Sequence, residues 1–240
     1  MNRRIFLPTQ ILAIAALCSS GNSRAGGGCE EGFNDALRLT PRGWITRNNS
    51  LPLGPTGWYQ GNPLIFSAWS GPSNSYIVAD ANSSSGDNAV ISDWLLTPEV
   101  DFGPNDFNVR MLDFYTRATA VAPNRLLVRL CVMGDSQHCD APGPTWSDVG
   151  GYDTILLDIN PDLTPSGYPE EWTEYTLTPA DGVPVVGRGR IAFHYYATPQ
   201  ATGNTGSYIG IDAVMIAGAT ACPFTDVVLV SGFEPAVSGP

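Results

Sequence analysis

The side chains that could do chemistry in this chain are few in kind. There are 2 histidines, His138 and His194, with 23 aspartates and glutamates and 5 cysteines. A serine hydrolase needs a serine, a basic histidine and an orienting acid in contact. No G-x-S-x-G elbow occurs, His194 stands between Phe193 and Tyr195 in an apolar run, and His138 lies inside a short cysteine-flanked loop. His194 therefore reads as a structural sheet residue. A glycosidase needs two carboxylates flanking one bond. The most suggestive pair, Glu170-Glu171 before Trp172, are chain neighbours, and on a strand they point to opposite faces. Neither histidine falls in a zinc-ligand spacing. No catalytic residue is assigned, and a secreted polysaccharide hydrolase is kept only as an alternative.

Tryptophan offers a different chemistry, because an exposed indole stacks well on apolar ring faces such as those of sugars. Trp94 and Trp172 sit within strand-like runs and Trp44 starts one, so all three read as core. Trp58 with Tyr59, Trp69 and Trp146 lie in Gly- and Pro-rich contexts. These four are the candidates for an exposed ligand-binding edge, although a loop tryptophan can equally pack as a lid.

The N-terminus has the form of a signal peptide over residues 1–25. Arg3 and Arg4 give the positive start, Ile11–Leu17 the apolar run and Ser23-Arg24-Ala25 a small-x-small cleavage site. Its removal leaves nine arginines and no lysine against 23 acidic residues, a balance of −14. So acidic a chain repels phosphate backbones, which excludes nucleic acid as a natural partner. The longest apolar stretch near the C-terminus, Ala213–Ala219, is far short of the ~20 residues that span a bilayer. A secreted or cell-surface protein is expected.

Export also makes the cysteines readable. Without Cys18 there remain Cys29, Cys131, Cys139 and Cys222, which in an oxidising compartment implies two disulfides with three pairings open. Cys131 and Cys139 flank a short polar loop and suit a hairpin bridge. Cys29–Cys222 would then join the ends of the domain, which requires the first and last strands to be neighbours.

These groups need a scaffold, and the chain spells out a β-sandwich. Gly (26) and Pro (20) punctuate short apolar runs throughout. Strands are expected at Ser75–Ala79, Ser92–Leu96, Val109–Thr116, Arg125–Met133, Thr154–Ile159, Trp172–Leu177, Arg190–Tyr196 and Tyr208–Ile216. Alternation is clearest in two of them. Leu126, Val128, Leu130 and Val132 face one way, with Arg125, Leu127, Arg129, Cys131 and Met133 on the other. Ile191, Phe193 and Tyr195 likewise oppose Ala192, His194 and Tyr196. No helical period is sustained and no 20–50-residue repeat is visible.

The order of motifs resembles the choice-of-anchor J domain family, bacterial secreted domains related to cleaved-adhesin and MAM-like jelly rolls. The matching pieces begin with GWITRNNS (Gly43–Ser50), WYQG (Trp58–Gly61), GPSNSYIVAD (Gly71–Asp80) and ISDWLLTPEV (Ile91–Val100). They continue through LDFYTR (Leu112–Arg117), NRLLVRL (Asn124–Leu130), LLDINPDL (Leu156–Leu163), GYPEEWTEYTLT (Gly167–Thr178), GRIAFHYY (Gly189–Tyr196) and YIGIDAVMI (Tyr208–Ile216). The resemblance implies an all-β, two-sheet antiparallel sandwich of jelly-roll type over residues 26–219, with 220–240 a short tail. It departs from the family in lacking a terminal helix with a basic cluster. It implies a non-catalytic binding or adhesion module, with a glycan or a surface protein as partner; a purely structural envelope component is the rival. Jelly rolls of this kind also imply a structural calcium near the first and last strands. Glu31 and Asp212 are the ligands expected there, with Asp93 either joining a site or satisfying a backbone donor.

Overall fold

The computed structural model describes residues 28–86, 88–102, 112–119, 122–135, 138–199 and 206–217. The chain enters through β1 (Gly28–Glu31), β2 (Ile45–Asn48) and β3 (Tyr59–Gln60). Next come β4 (Ile77–Asp80), β5 (Ile91–Leu96), β6 (Val100–Asp101), β7 (Leu112–Ala118) and β8 (Leu126–Val132). It ends through β9 (Thr154–Ile159), β10 (Thr173–Leu177), β11 (Arg188–Ala197) and β12 (Tyr208–Ala217). The helical elements among the described residues are single 3₁₀ turns, and none is long and apolar enough to cross a membrane.

Every pairing is antiparallel, and the strands form two sheets. One runs β10-β7-β12-β4-β3 with β1 added on β12; the other runs β2-β5-β11-β8-β9 with β6 added on β11. Removing the short strands leaves a nested order. β4 lies beside β12, β5 beside β11, β7 beside β10 and β8 beside β9. First pairs with last and second with penultimate among these eight strands, which is the long ribbon of a jelly roll wound into two sheets. The fold class read from the sequence is the fold observed, and each of the eight strands falls on an expected run.

The alternation sends one set of side chains between the sheets. Ile77, Phe114, Ile209 and Ile211 from the first sheet meet Ile91, Leu95, Val128 and Phe193 from the second, all fully buried. Phe114 and Phe193 touch edge to face, ring centroids 5.1 Å apart, so the contact spans the sandwich. Side chains of this size contribute about 1.5–3 kcal/mol each by leaving water.

One irregularity bends the central strand β12. Its register shifts between Asp212 and Met215, and Ala213 takes φ 50°, in the left-handed region. That conformation is uncommon for alanine. Asp212 compensates locally, its Oδ1 accepting the Ala213 N–H at 2.7 Å.

Candidate ligand-binding site

The outer face of the β2-β5-β11-β8-β9 sheet carries its own small core. Trp94, Leu96, Cys131, Cys139, Tyr152 and Ala192 are buried there, away from the space between the sheets. Their cover is the segment following β8. A disulfide joins Cys131, near the end of β8, to Cys139, with Cα atoms 5.6 Å apart. Tyr152 Oη donates to the Cys139 carbonyl at 3.0 Å, and Asn49 Nδ2 donates to the Gly143 carbonyl at 2.6 Å. A loop fixed at so many points holds a side chain where a free loop of this length would not.

The side chain so held is Trp146. It lies near-parallel to Tyr196 of β11, ring centroids 6.4 Å apart and planes 24° from parallel. The two rings form one wall of an open cleft of about 230 Å³, lined also by Arg125, Arg129, Ile155 and His194. The floor is the polar side of the alternation in β8 and β11. Arg125 is neutralised by Asp158, to which Nε and Nη2 donate at 2.8 and 2.6 Å. This paired carboxylate raises the Arg125 pKa further. Arg129 differs. Its Nη1 donates to the Tyr152 carbonyl at 3.0 Å, its Nε is buried without a partner, and its guanidinium stands 5.8 Å from the Trp94 ring centroid. Burial, with Arg125 as a like-charged neighbour, lowers its pKa.

His194 completes the floor and is a structural sheet residue, as expected. Trp94 Nε1 donates to Ser92 Oγ at 3.1 Å, and Ser92 Oγ lies 3.0 Å from His194 Nε2. Ser92 Oγ accepts the indole N–H and its own hydrogen has Nε2 as acceptor; we assign that arrangement, which puts the ring hydrogen on Nδ1. Burial holds the imidazole neutral, its pKa well below 6.5, and the nearby Arg129 and Arg125 act in the same direction. A serine bonded to a histidine is half of a nucleophilic triad. Here Ser92 is fully buried and Nδ1 has no carboxylate or other partner. The contact positions rings and exposes no nucleophile.

Of the four aromatic candidates, Trp146 lies at this cleft and the others do not. Trp58 is a correction: it is buried in the inter-sheet core. Gly- and Pro-rich flanks signalled exposure, but the indole, just before β3, packs inward. Tyr59 donates to Asp80 Oδ2 at 2.8 Å, and a separate hollow of about 530 Å³ is lined by Asp35–Leu37 and Trp58–Gln60. Trp69 is 51% exposed and stacks on Tyr115 of β7, centroids 4.3 Å apart, on the opposite side of the molecule. Arg129 and His194 were read as sheet residues, and only their register across β8 and β11 brings them together. Glu171 is exposed and pairs with Arg117 at 3.3 Å.

The three expected calcium ligands do not converge. Strands β1 and β12 do pair, but Glu31 stands opposite Val214, whose side chain is in the inter-sheet core. Glu31 accepts from Arg42 at 3.2 Å and from the Phe33 N–H at 2.9 Å. Asp212 points to the other face, where Oδ2 accepts the N–H groups of Trp69 and Ser70 at 2.8 and 3.0 Å. Its pKa is pushed up to about 7 by burial, and Glu30 adds to the shift. Among the described residues no group of three or more His, Cys, Asp or Glu side chains is placed to hold a metal. Asp93 lies in the other sheet, fully buried. Its Oδ2 accepts from Ser83 Oγ at 2.8 Å and its Oδ1 has no donor. Burial pushes its pKa up to about 8. A Cβ on Gly57 would stand 3.8 Å from both carboxylate oxygens, so that glycine leaves room beside them. An orphaned carboxylate oxygen with space next to it suits a hard cation. The residues 1–25, Cys222 and the tail lie outside the described residues, and with them the Cys29–Cys222 bridge.

No protein-family model and no curated protein matches the chain. Solved structures do. The K3 cleaved adhesin domain of Lys-gingipain from Porphyromonas gingivalis is similar at 18% identity over 78% of this chain and 96% of that one, with a TM-score of 0.47. A family 29 carbohydrate-binding module is similar at 14% identity over 86% and 99%, TM-score 0.35. A glycoside hydrolase so far named only by similarity, from Bacteroides thetaiotaomicron, is similar at 11% identity over 67% and 56%, TM-score 0.34. Likenesses at this level add nothing to the architecture read from the strand pairing, and the assignment of a site rests on the cleft itself.

Proposed function

We propose that this chain is an exported, non-catalytic binding module that holds a saccharide against the Trp146–Tyr196 wall. The observation that carries the reading is that wall: two half-buried, near-parallel aromatic rings beside an open cleft with polar groups in its floor. Aromatic faces supply area and guanidinium or imidazole groups supply orientation, the usual division of labour in a small-ligand site. The signal-like N-terminus and the motif order resembling choice-of-anchor J domains support action outside the cell. The test is a glycan array followed by titration of the hits. Trp146→Ala should weaken binding by about tenfold or more, a loss of ~1.4 kcal/mol. An array without hits, or hits indifferent to Trp146→Ala, would leave an envelope or adhesion role without this site.

A second reading is carried by the orphaned Asp93 oxygen: a structural calcium held by Asp93 beside Gly57. The ion would tie β5 to the 54–57 and 81–84 segments. Added Ca2+ should then raise the melting temperature of the wild type and not of Asp93→Asn. Equal melting of the wild type in Ca2+ and in EDTA sinks it.

A further inference from the structure

Two polar atoms in the floor of the cleft meet no partner among the described residues. Arg129 Nε and His194 Nδ1 are both buried there without a hydrogen-bond partner. Each lines the same cleft, and each belongs to a side chain whose other end is already fixed. Arg129 is held by the Tyr152 carbonyl and His194 by Ser92. With the Ser92 proton assigned to Nε2 the ring hydrogen is on Nδ1, and both orphaned atoms are then N–H donors. A buried donor left without an acceptor is destabilising.

The charge is as unbalanced as the hydrogen bonding. Arg125 has its carboxylate in Asp158, bidentate and close. Arg129 has no ion pair among the described residues. Asp158 and Asp153 act on it only at longer range, and Asp158 is already committed to Arg125. The elements packed round it, from β9 (Ile155), β11 (His194) and the covering loop (Trp146, Val149), bring no acid into the cleft. In a chain with 23 carboxylates and 12 arginines, a desolvated guanidinium without one is an exception. A desolvated, unpaired charge is costly, and an acceptor-only anionic group from a ligand would satisfy it.

We infer that the ligand of this cleft is an acidic saccharide, its ring on the Trp146–Tyr196 wall and its carboxylate or sulfate group at Arg129 and His194. The inference rests on the saccharide reading above and names the class of sugar. The shared chemistry is a singly charged oxyanion on a pyranose ring, and a guanidinium takes either group by charge-assisted hydrogen bonds.

Calorimetric titration of the full-length exported chain tests it with three probes: an oligogalacturonate, a sulfated galacto-oligosaccharide and a neutral galacto-oligosaccharide. At least one anionic probe should bind about tenfold or more tighter than the neutral one, the size of a charge-assisted hydrogen bond. The carboxylated and sulfated arms tell which oxyanion is preferred. Arg129→Met should abolish the preference, costing the anionic probe about tenfold or more beyond whatever it costs the neutral one, and Trp146→Ala should weaken all binding. Should Arg129→Met fail to fold, the wild type alone decides: the anionic preference must shrink as salt rises towards ~0.5 M, and neutral binding must not. Equal affinity for charged and neutral probes, with Trp146→Ala weakening both, overturns the acidic ligand and leaves the saccharide reading standing. Binding indifferent to Trp146→Ala, or none at all, overturns both.

Discussion

His194 lies face to face on Trp94, ring centroids 3.7 Å apart and planes 12° from parallel. The two residues are cross-strand neighbours on β11 and β5. Their stack places the histidine between a buried indole and the cleft, and Ser92 reaches both rings. A neutral imidazole is the form this burial requires, and its proton is assigned to Nδ1.

That form is directly observable. Long-range ¹H–¹⁵N spectra of the folded protein should show His194 neutral and Nδ1-protonated at pH 8 and still so below pH 6.5, where a free imidazole is charged. The unfolded chain takes up a proton below the ordinary value of 6.5 and the folded chain does not. His194 therefore makes stability fall with acidification below pH 6.5. His194→Gln should lose that slope. A histidine resonance titrating near 6.5 in the folded protein would refute the assignment.

Asp212 acts with the opposite sign. Its folded pKa of about 7 exceeds the ordinary 3.8, so the folded chain binds the extra proton between these values. Its contribution to stability is fully present below pH 3.8 and is lost as pH rises through 7. Comparison of wild type with Asp212→Asn isolates it: the wild type's advantage in denaturant midpoint should narrow from pH 5 to pH 8. A gap that widens over this range contradicts the raised pKa.

The Cys131–Cys139 bridge should matter more to binding than to folding. Cys131→Ala with Cys139→Ala should cost about 2–3 kcal/mol of stability, the value for a loop of this length. The β-sheet spectrum should persist, because the bridge closes no strand pairing. Ligand binding should drop further than Trp146→Ala alone produces, since the whole cover of Trp94 and Cys131 is released. Unchanged binding in the double variant would separate Trp146 from the bridge.

Two tryptophans make a contrast in stability. Trp94 is fully buried, and Trp94→Ala should cost about 3–5 kcal/mol. Trp69 is half exposed with one stacking partner, and Trp69→Ala should cost less than about 1.5 kcal/mol. Urea denaturation of both variants checks the ranking, and a reversal would invert the two environments.

Seven of the eight strands of the roll run over five to ten residues, long enough to show their apolar pattern, and the four-residue β4 showed itself by its apolar run Ile77–Ala79. Leu126, Val128 and Leu130 needed no partner to show which side was core. Strands β1, β2, β3 and β6 have two to four residues each, too few for a period, and form only because a longer neighbour presents open hydrogen bonds. Trp94 reads as core from its run, and it is buried, but in a satellite core that exists only once the disulfide-anchored loop lies over it. The cleft was half visible. Trp146 stood out as a loop aromatic. Arg129 and His194 looked like the polar side of two unrelated strands, and sequence spacing says nothing of β8 lying next to β11. Trp58 misled because glycine-rich flanks report backbone freedom and not the direction of the side chain.

The nested strand order has a consequence for how the chain reaches its native state. β12 is the last strand of the roll in sequence and lies between β4 and β7 in the middle of its sheet. Until residues 208–217 arrive, β4 and β7 have no bridge between them, and β1 has nothing to pair with. Contacts of such large sequence separation form slowly. A chain emerging from its N-terminus cannot close prematurely into a stable half. It remains threadable until nearly all of it is available, and then closes in one cooperative step, with the central strand as the clasp.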